Sequence, residues 1–152
     1  MTRIRHIALS TDDPVTTADL YKNVFGLRQI RQEPVETGAD GVWLSDGYIY
    51  FAILKHGSKH APDLGEGPST LKGVHHIGFY VDDQEDICAA LEARGCPECP
   101  GSSDANRKYK GPDALMLDVR AEGWDEQIQD AMQLYRLEPA ESDGSESSVP
   151  ED

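Results

Sequence analysis

Two stretches of the chain repeat one pattern of apolar and polar positions. Residues 5–13 read RHIALSTDD and residues 75–83 read HHIGFYVDD, so a His-Ile pair and an Asp-Asp pair recur 70 positions apart. Within each stretch apolar residues alternate with others, and a period of two is typical of a β-strand. The repetition predicts a duplicated module.

Each repeated stretch is followed by apolar residues at helical spacing. Residues 14–25 and 84–94 are predicted helices, because an aspartate precedes each one as an N-cap and a glycine follows each one. The remaining pattern predicts strands over residues 28–33, 41–44, 48–54, 98–102, 106–110 and 115–119, with a hairpin turn at Asp46-Gly47. Each module therefore reads β-α-β-β-β.

This order of elements divides the chain into five parts. The first module spans residues 1–55, a linker rich in Gly, Pro and Ser spans 56–72, and the second module spans 73–122. Residues 123–138 are predicted to form a C-terminal helical extension. Residues 139–152 are acidic with few apolar side chains, which predicts a disordered tail.

The alternation also assigns side chains to the two faces of the predicted sheet. The helices need an apolar face to pack against, and Ile7, Ile77 and their apolar neighbours supply it. The opposite face carries His6, His76 and Asp118, together with Tyr80; His75 is expected to point the other way. A lone strand histidine is usually structural, but equivalent places in two modules favour two imidazoles and a carboxylate meeting as metal ligands.

Composition excludes several classes of function. A formal net charge of -14 repels phosphate backbones and anionic lipid, so neither nucleic acid nor a membrane surface is an expected partner. The sequence has no apolar run of transmembrane length and no signal-like leader, which favours a cytoplasmic protein. The three cysteines do not form a disulfide framework, and the lone Cys96-x-x-Cys99 pair is interpreted as incidental.

Four segments together resemble the vicinal oxygen chelate superfamily of glyoxalases, bleomycin-resistance proteins and extradiol dioxygenases. They read HIALSTDD, LYKNVFGL, HIGFYVDD and GPDALMLDV, and the resemblance covers roughly residues 3–120. It implies an α+β fold in which two βαβββ modules form a cupped mixed sheet around one divalent metal ion. It also implies a homodimer.

The resemblance places the metal ligands of the family on His6, His76 and Asp118, where the family usually has a glutamate at the third position. The strand over residues 48–54 offers no carboxylate, and Tyr50 is its expected residue in the cup. Three protein ligands with open positions match the extradiol dioxygenases and fosfomycin-resistance enzymes better than the four-ligand isomerases. Such a set suits Fe²⁺ activating oxygen, or Mn²⁺ or Zn²⁺ polarising a substrate oxygen.

The function that follows is a metal-dependent enzyme acting on a small oxygen-chelating substrate, similar either to an extradiol dioxygenase or to a glyoxalase-like lyase or isomerase. Tyr50 is expected to donate a hydrogen bond or proton, or else to form a plain pocket wall, and Tyr80, Arg107 and Tyr109 are expected to contact substrate. The alternative is a metal-free protein that sequesters a cationic drug, as bleomycin-resistance proteins do. The acidic charge favours this alternative, whereas the two aligned histidines disfavour it.

Overall fold

The computed structural model describes residues 1–33, 41–58, 72–100, 102–112 and 115–137, with the side chains of 134–137 left aside. The predicted linker beyond residue 58 and the predicted acidic tail lie largely outside these residues, so their boundaries stay predictions. Within the described part, no helix combines the length and the hydropathy that a membrane crossing needs.

Seven strands and three helices make up the described chain. The first half contains β1 (Arg3–Thr11), α1 (Pro14–Phe25), β2 (Arg28–Glu33), β3 (Gly41–Ser45) and β4 (Tyr50–Lys55). The second half contains β5 (Gly73–Tyr80), α2 (Gln84–Ala93), β6 (Arg107–Lys110), β7 (Met116–Arg120) and α3 (Trp124–Leu137). An isolated bridge between Glu98 and Tyr109 stands where a strand over 98–102 was predicted.

The strands form one mixed sheet in the order β2-β3-β4-β1-β5-β7-β6. β1 runs parallel to β4 and β5 runs parallel to β7, while β1 and β5 meet antiparallel at the centre. There Ile7 pairs with Ile77, its own counterpart in the repeat. The two modules are therefore related by an approximate twofold axis through this pair, which confirms the predicted α+β fold class and the duplication.

Local sequence explains why the helices begin and end where they do. The Asp13 carboxylate accepts hydrogen bonds from the amides of Val15 and Thr16, and Asp83 accepts one from Asp86. Both aspartates thus satisfy amides that the first helical turn leaves unpaired. After α1, Gly26 adopts a left-handed conformation with φ of 70°, as the predicted helix end requires.

The two faces of the sheet carry different helices. Residues in register across the sheet share a face, and the row through Ile7 joins Phe51, Ile77 and Leu117. In this row Phe51 packs in a cluster with α1 and Leu117 in a cluster with α2. The opposite face, here called the inner face, is covered by α3. Its buried cluster combines side chains of α3 with side chains of the strands: Trp124, Ile128, Ala8, Trp43, Tyr50, Ala52 and Leu54.

Candidate metal centre

Three central strands bring the predicted ligands together on the inner face. His6 pairs with Gly78, and Gly78 pairs with Asp118. His76 pairs with Ala8, so it lies diagonally across from His6. One ligand atom from each of His6, His76 and Asp118 lies within 4.8 Å of the other two. The two Nε2 atoms are 2.9 Å apart, and His76 Nε2 is 3.7 Å from Asp118 Oδ2. All three residues are at most 5% exposed.

The main chain of β4 orients His6. Its Nδ1 lies 2.6 Å from the carbonyl oxygen of Tyr50. A carbonyl oxygen only accepts, so Nδ1 carries the proton and Nε2 is left as an acceptor that faces His76 Nε2. Metal-binding histidines are commonly fixed in this way, with the second ring nitrogen held by a carbonyl or carboxylate.

Burial keeps both imidazoles neutral at neutral pH. Desolvation lowers the pKa of His6 to about 4, although the nearby Asp118 charge acts in the opposite direction. Desolvation also lowers the pKa of His76 well below its ordinary value, with a further contribution from His6. Neutral imidazole is the form that binds a metal ion, so the site does not need to lose histidine protons near pH 7.

The spacing of the donor atoms fits a divalent cation that prefers nitrogen and oxygen. Metal–nitrogen bonds of about 2.1 Å at a right angle place two ligand nitrogens about 3 Å apart, close to the 2.9 Å between His6 and His76. The two carboxylate oxygens of Asp118 have different partners. Oδ1 accepts a hydrogen bond from Lys108 Nζ at 2.5 Å, and Oδ2 faces His76. One carboxylate oxygen is therefore directed at the metal position.

The alternation predicted that His75 points away from the site, but its side chain contacts His76. Between the pairs Ala8–His76 and Leu9–Val74 the strand β5 holds one extra residue, and this β-bulge contains His75. Its Nδ1 lies 2.8 Å from His76 Nδ1, and the residue is 8% exposed. His75 thus contacts the ring of His76 without belonging to the cluster itself.

The hydrogen-bond roles of the three histidines follow from one another in the metal-free protein. Because His6 Nε2 is unprotonated, His76 Nε2 must donate to it, and His76 Nδ1 must then accept from His75 Nδ1. His76 would hold a metal ion through Nε2 only as the tautomer with its proton on Nδ1, and His75 Nδ1 would then accept that proton's hydrogen bond.

α3 closes the site from the inner face. The Trp124 ring stacks on the His6 ring with centroids 5.2 Å apart and planes at 27°. Gly78 leaves room for this ring, since a Cβ atom there would lie 2.4 Å from the indole and 2.6 Å from His6 Cβ. Arg5, the extra residue in a matching bulge of β1, binds Asp125 of α3 at 2.6 Å. Sequence reasoning predicted the helix but not this position.

Tyr50 and Tyr80 lie on the inner face near the cluster. The Tyr50 ring is buried with its centroid 5.5 Å from that of His6. Desolvation raises the pKa of its hydroxyl, which a hydrogen bond from Arg31 partly offsets. Tyr80 is half-buried against the α3 cluster, with the Arg3 guanidinium 5.2 Å from its ring centroid. The predicted roles of the two tyrosines stay predictions.

The structure does not bring Arg107 and Tyr109 to the cluster. In the register of β6 and β7 Lys108 pairs with Asp118, so the residues on either side of Lys108 point to the opposite face. Tyr109 is fully buried beside α2 and its hydroxyl donates to Glu92 at 2.9 Å, while Arg107 binds Glu98 at 2.6 Å. The expectation that they contact substrate placed them beside Asp118, whereas Lys108 holds that position. Lys108 is the site residue that this reasoning missed.

The chain belongs to the Glyoxalase/Bleomycin resistance protein/Dioxygenase superfamily, whose family model matches residues 3–104. This match confirms the resemblance. Comparison with curated protein sequences gives no match.

Solved structures of the same fold include a hypothetical protein from Bacillus halodurans, with a TM-score of 0.55, 14% identity, and coverage of 80% of this chain and 96% of that chain. A methylmalonyl-CoA epimerase from Streptomyces coelicolor, in complex with 2-nitronate-propionyl-CoA, has a TM-score of 0.54, 22% identity and coverage of 80% and 99%. The epimerase from Mycobacterium tuberculosis has a TM-score of 0.54, 15% identity and coverage of 78% and 88%. At these identities the likeness concerns the fold.

Proposed function

We propose that this protein is a metal-dependent enzyme in which His6, His76 and Asp118 hold one divalent cation, Fe²⁺, Mn²⁺ or Zn²⁺, and that it acts on a small oxygen-chelating substrate. The observation that carries the proposal is the approach of two nitrogen donors and one oxygen donor to within 4.8 Å in a buried site.

The chain's own residues prepare the site for such a substrate. Three protein ligands leave coordination positions open, and a bound cation would polarise neighbouring oxygens of the substrate or, as Fe²⁺, activate oxygen. A tyrosine hydroxyl is protonated at neutral pH, and burial raises the pKa of Tyr50 further above its ordinary value. Since Arg31 donates to the Tyr50 hydroxyl oxygen, the hydroxyl proton is available to the substrate. Tyr80 forms part of the surrounding wall.

Two reaction types are compatible with this arrangement. A ring-cleaving dioxygenase needs open positions on Fe²⁺ for both substrate and oxygen, which a two-histidine, one-carboxylate set provides. A lyase or isomerase needs only the polarised oxygens, and epimerases acting on CoA esters share the fold. Oxygen consumption by the Fe²⁺-loaded protein with catechol would favour the dioxygenase. If the protein consumed no oxygen with any of a series of diols, the lyase or isomerase would be favoured.

The rival function is metal-free capture of a cationic drug. The net charge of -14 favours it. The inner face disfavours it, because Lys108 and Arg120 place positive charge beside the cluster, as their effect on the pKa of His6 shows. The expected homodimer and cytoplasmic location are part of the proposal and rest on the sequence.

Metal analysis of protein purified without a histidine tag tests the proposal. We expect one divalent ion per chain in the wild type and loss of that ion in His76→Ala, with the far-ultraviolet circular dichroism unchanged. His56→Ala is the matched control, because His56 bonds Ser10 at 3.0 Å and is not one of the three clustered residues. Full metal occupancy in His76→Ala, or no metal in the wild type, would refute the ligand assignment.

A further inference from the structure

Positive charge gathers beside the metal ligands although the chain as a whole is strongly acidic. Lys108 on β6 contacts Asp118 directly, and Arg120 follows Asp118 by two positions on β7, on the same face. The single carboxylate of the cluster, Asp118, is already engaged by Lys108. The charge of Lys108 is thus balanced by Asp118, which leaves Arg120 as the cation to account for on this part of the inner face.

Arg120 differs from the other arginines near the inner face in having no ion-pair partner among the described residues. Its Nε is buried and has no hydrogen-bond partner in that part of the chain. By contrast, Arg3 and Arg5 share Asp125, and Arg31 binds Glu33. A buried guanidinium nitrogen without an acceptor is unfavourable, and its usual explanation is a ligand, ion or water that completes it.

The surroundings of Arg120 define how far such a ligand extends from the metal. Its guanidinium carbon lies 5.2 Å from the centroid of the Trp124 ring, which itself stacks on His6 at 5.2 Å. The Trp124 ring therefore contacts both Arg120 and the His6 ring of the cluster. Arg120 also lines an open pocket of about 370 Å³. Glu122 and Glu126 also line this pocket, and Glu126 accepts a hydrogen bond from the Gly123 amide instead of pairing with Arg120.

We propose that the substrate of this site carries two recognition groups: vicinal oxygens that chelate the metal beside Lys108, and a separate carboxylate, several bonds away, that Arg120 binds. The chelating oxygens rest on the proposed function, whereas the carboxylate bound by Arg120 does not. A guanidinium and a carboxylate form charge-assisted, often paired hydrogen bonds, which gives Arg120 the acceptor it lacks. A cationic drug would be repelled by the same two side chains.

Two probes that differ only at the distal group test the proposal. 2-Oxoglutarate and 2-oxopentanoate share a chelating end, but the first ends in a carboxylate and the second in a methyl group. Titration of the Mn²⁺-loaded protein by calorimetry should show 2-oxoglutarate binding roughly tenfold or more tightly. Arg120→Gln should remove this preference while metal content stays that of the wild type, and Arg120→Lys should retain part of it.

Arg94→Gln is the matched control, since Arg94 is exposed at the end of α2, and it should keep the full preference. Equal affinity of the wild type for both probes, or an unchanged preference in Arg120→Gln, would overturn the inference. Titration of the metal-free protein separates the two proposals. If the wild type takes up no metal, the proposed function fails. A preference for 2-oxoglutarate that Arg120→Gln abolishes would then still support the carboxylate site.

Discussion

At the scale of single residues, burial sets the protonation of His6 and so couples the stability of the metal-free protein to pH. The folded-state pKa is about 4, below the ordinary 6.5. Between these values the unfolded chain binds more protons than the folded one, so stability rises with pH across this window. The contribution of His6 is complete above pH 6.5 and is lost as the pH falls towards 4.

We therefore expect the free energy of unfolding of the metal-free protein to fall by about 3 kcal/mol between pH 6.5 and pH 4 through His6 alone. Urea denaturation at several pH values measures this. His6→Asn, whose amide can still donate to the Tyr50 carbonyl, should have a clearly shallower pH dependence in the same window. An identical slope in the two proteins would show that His6 is not buried as a neutral ring.

The three clustered residues could be predicted from sequence because a repeated phrase and strict alternation fixed their faces. His75 could not be placed, because a β-bulge shifts the alternation by one residue and leaves no mark in the pattern of apolar positions. Lys108 was missed for a related reason. Which side chains of β6 point to the inner face depends on its register with β7, and the sequence of the turn between them did not determine that register.

At the scale of elements, α3 decides whether solvent and ligands reach the cluster. Its buried side chains Trp124, Ile128 and Ala131 form one stripe at helical spacing that packs on the inner face. The sequence predicted a helix over residues 123–138, but it could not say which face of the sheet the helix covers. The strand predicted over residues 98–102 shrinks to one bridge because Pro97 and Pro100 cannot donate to a ladder on either side of Glu98.

Loosening α3 should expose the site without touching a ligand. Ile128 is 1% exposed, so Ile128→Ala should lower the free energy of unfolding by roughly 2–5 kcal/mol. In the zinc-loaded protein it should also speed metal extraction by a chelator, followed with a colorimetric zinc indicator. Gln127→Ala, the neighbouring exposed position, should change neither quantity. Destabilisation without faster extraction would mean that metal leaves by a route other than the inner face.

At the scale of the whole molecule, the approximate twofold axis is what creates the site. His6 comes from the first module, whereas His76 and Asp118 come from the second, and the antiparallel pairing of β1 with β5 brings them together. The duplication could be seen in the sequence, since the same phrase occurs twice. That the two copies meet edge to edge at the Ile7–Ile77 pair is a property of the folded sheet.

A cation held by both modules should stabilise them together. At a free metal concentration of 100 times Kd the gain is about 2.7 kcal/mol, which for a chain of this size raises Tm by roughly 5–10 °C. Calorimetry of the Zn²⁺-loaded and metal-free proteins should show one unfolding transition in each, shifted as a whole by the metal. His76→Ala should lose the shift, and His56→Ala should keep it. If the metal moved only one of two separate transitions, its ligands would lie within a single module, because a cation that bridges β1, β5 and β7 must be released before either half can unfold.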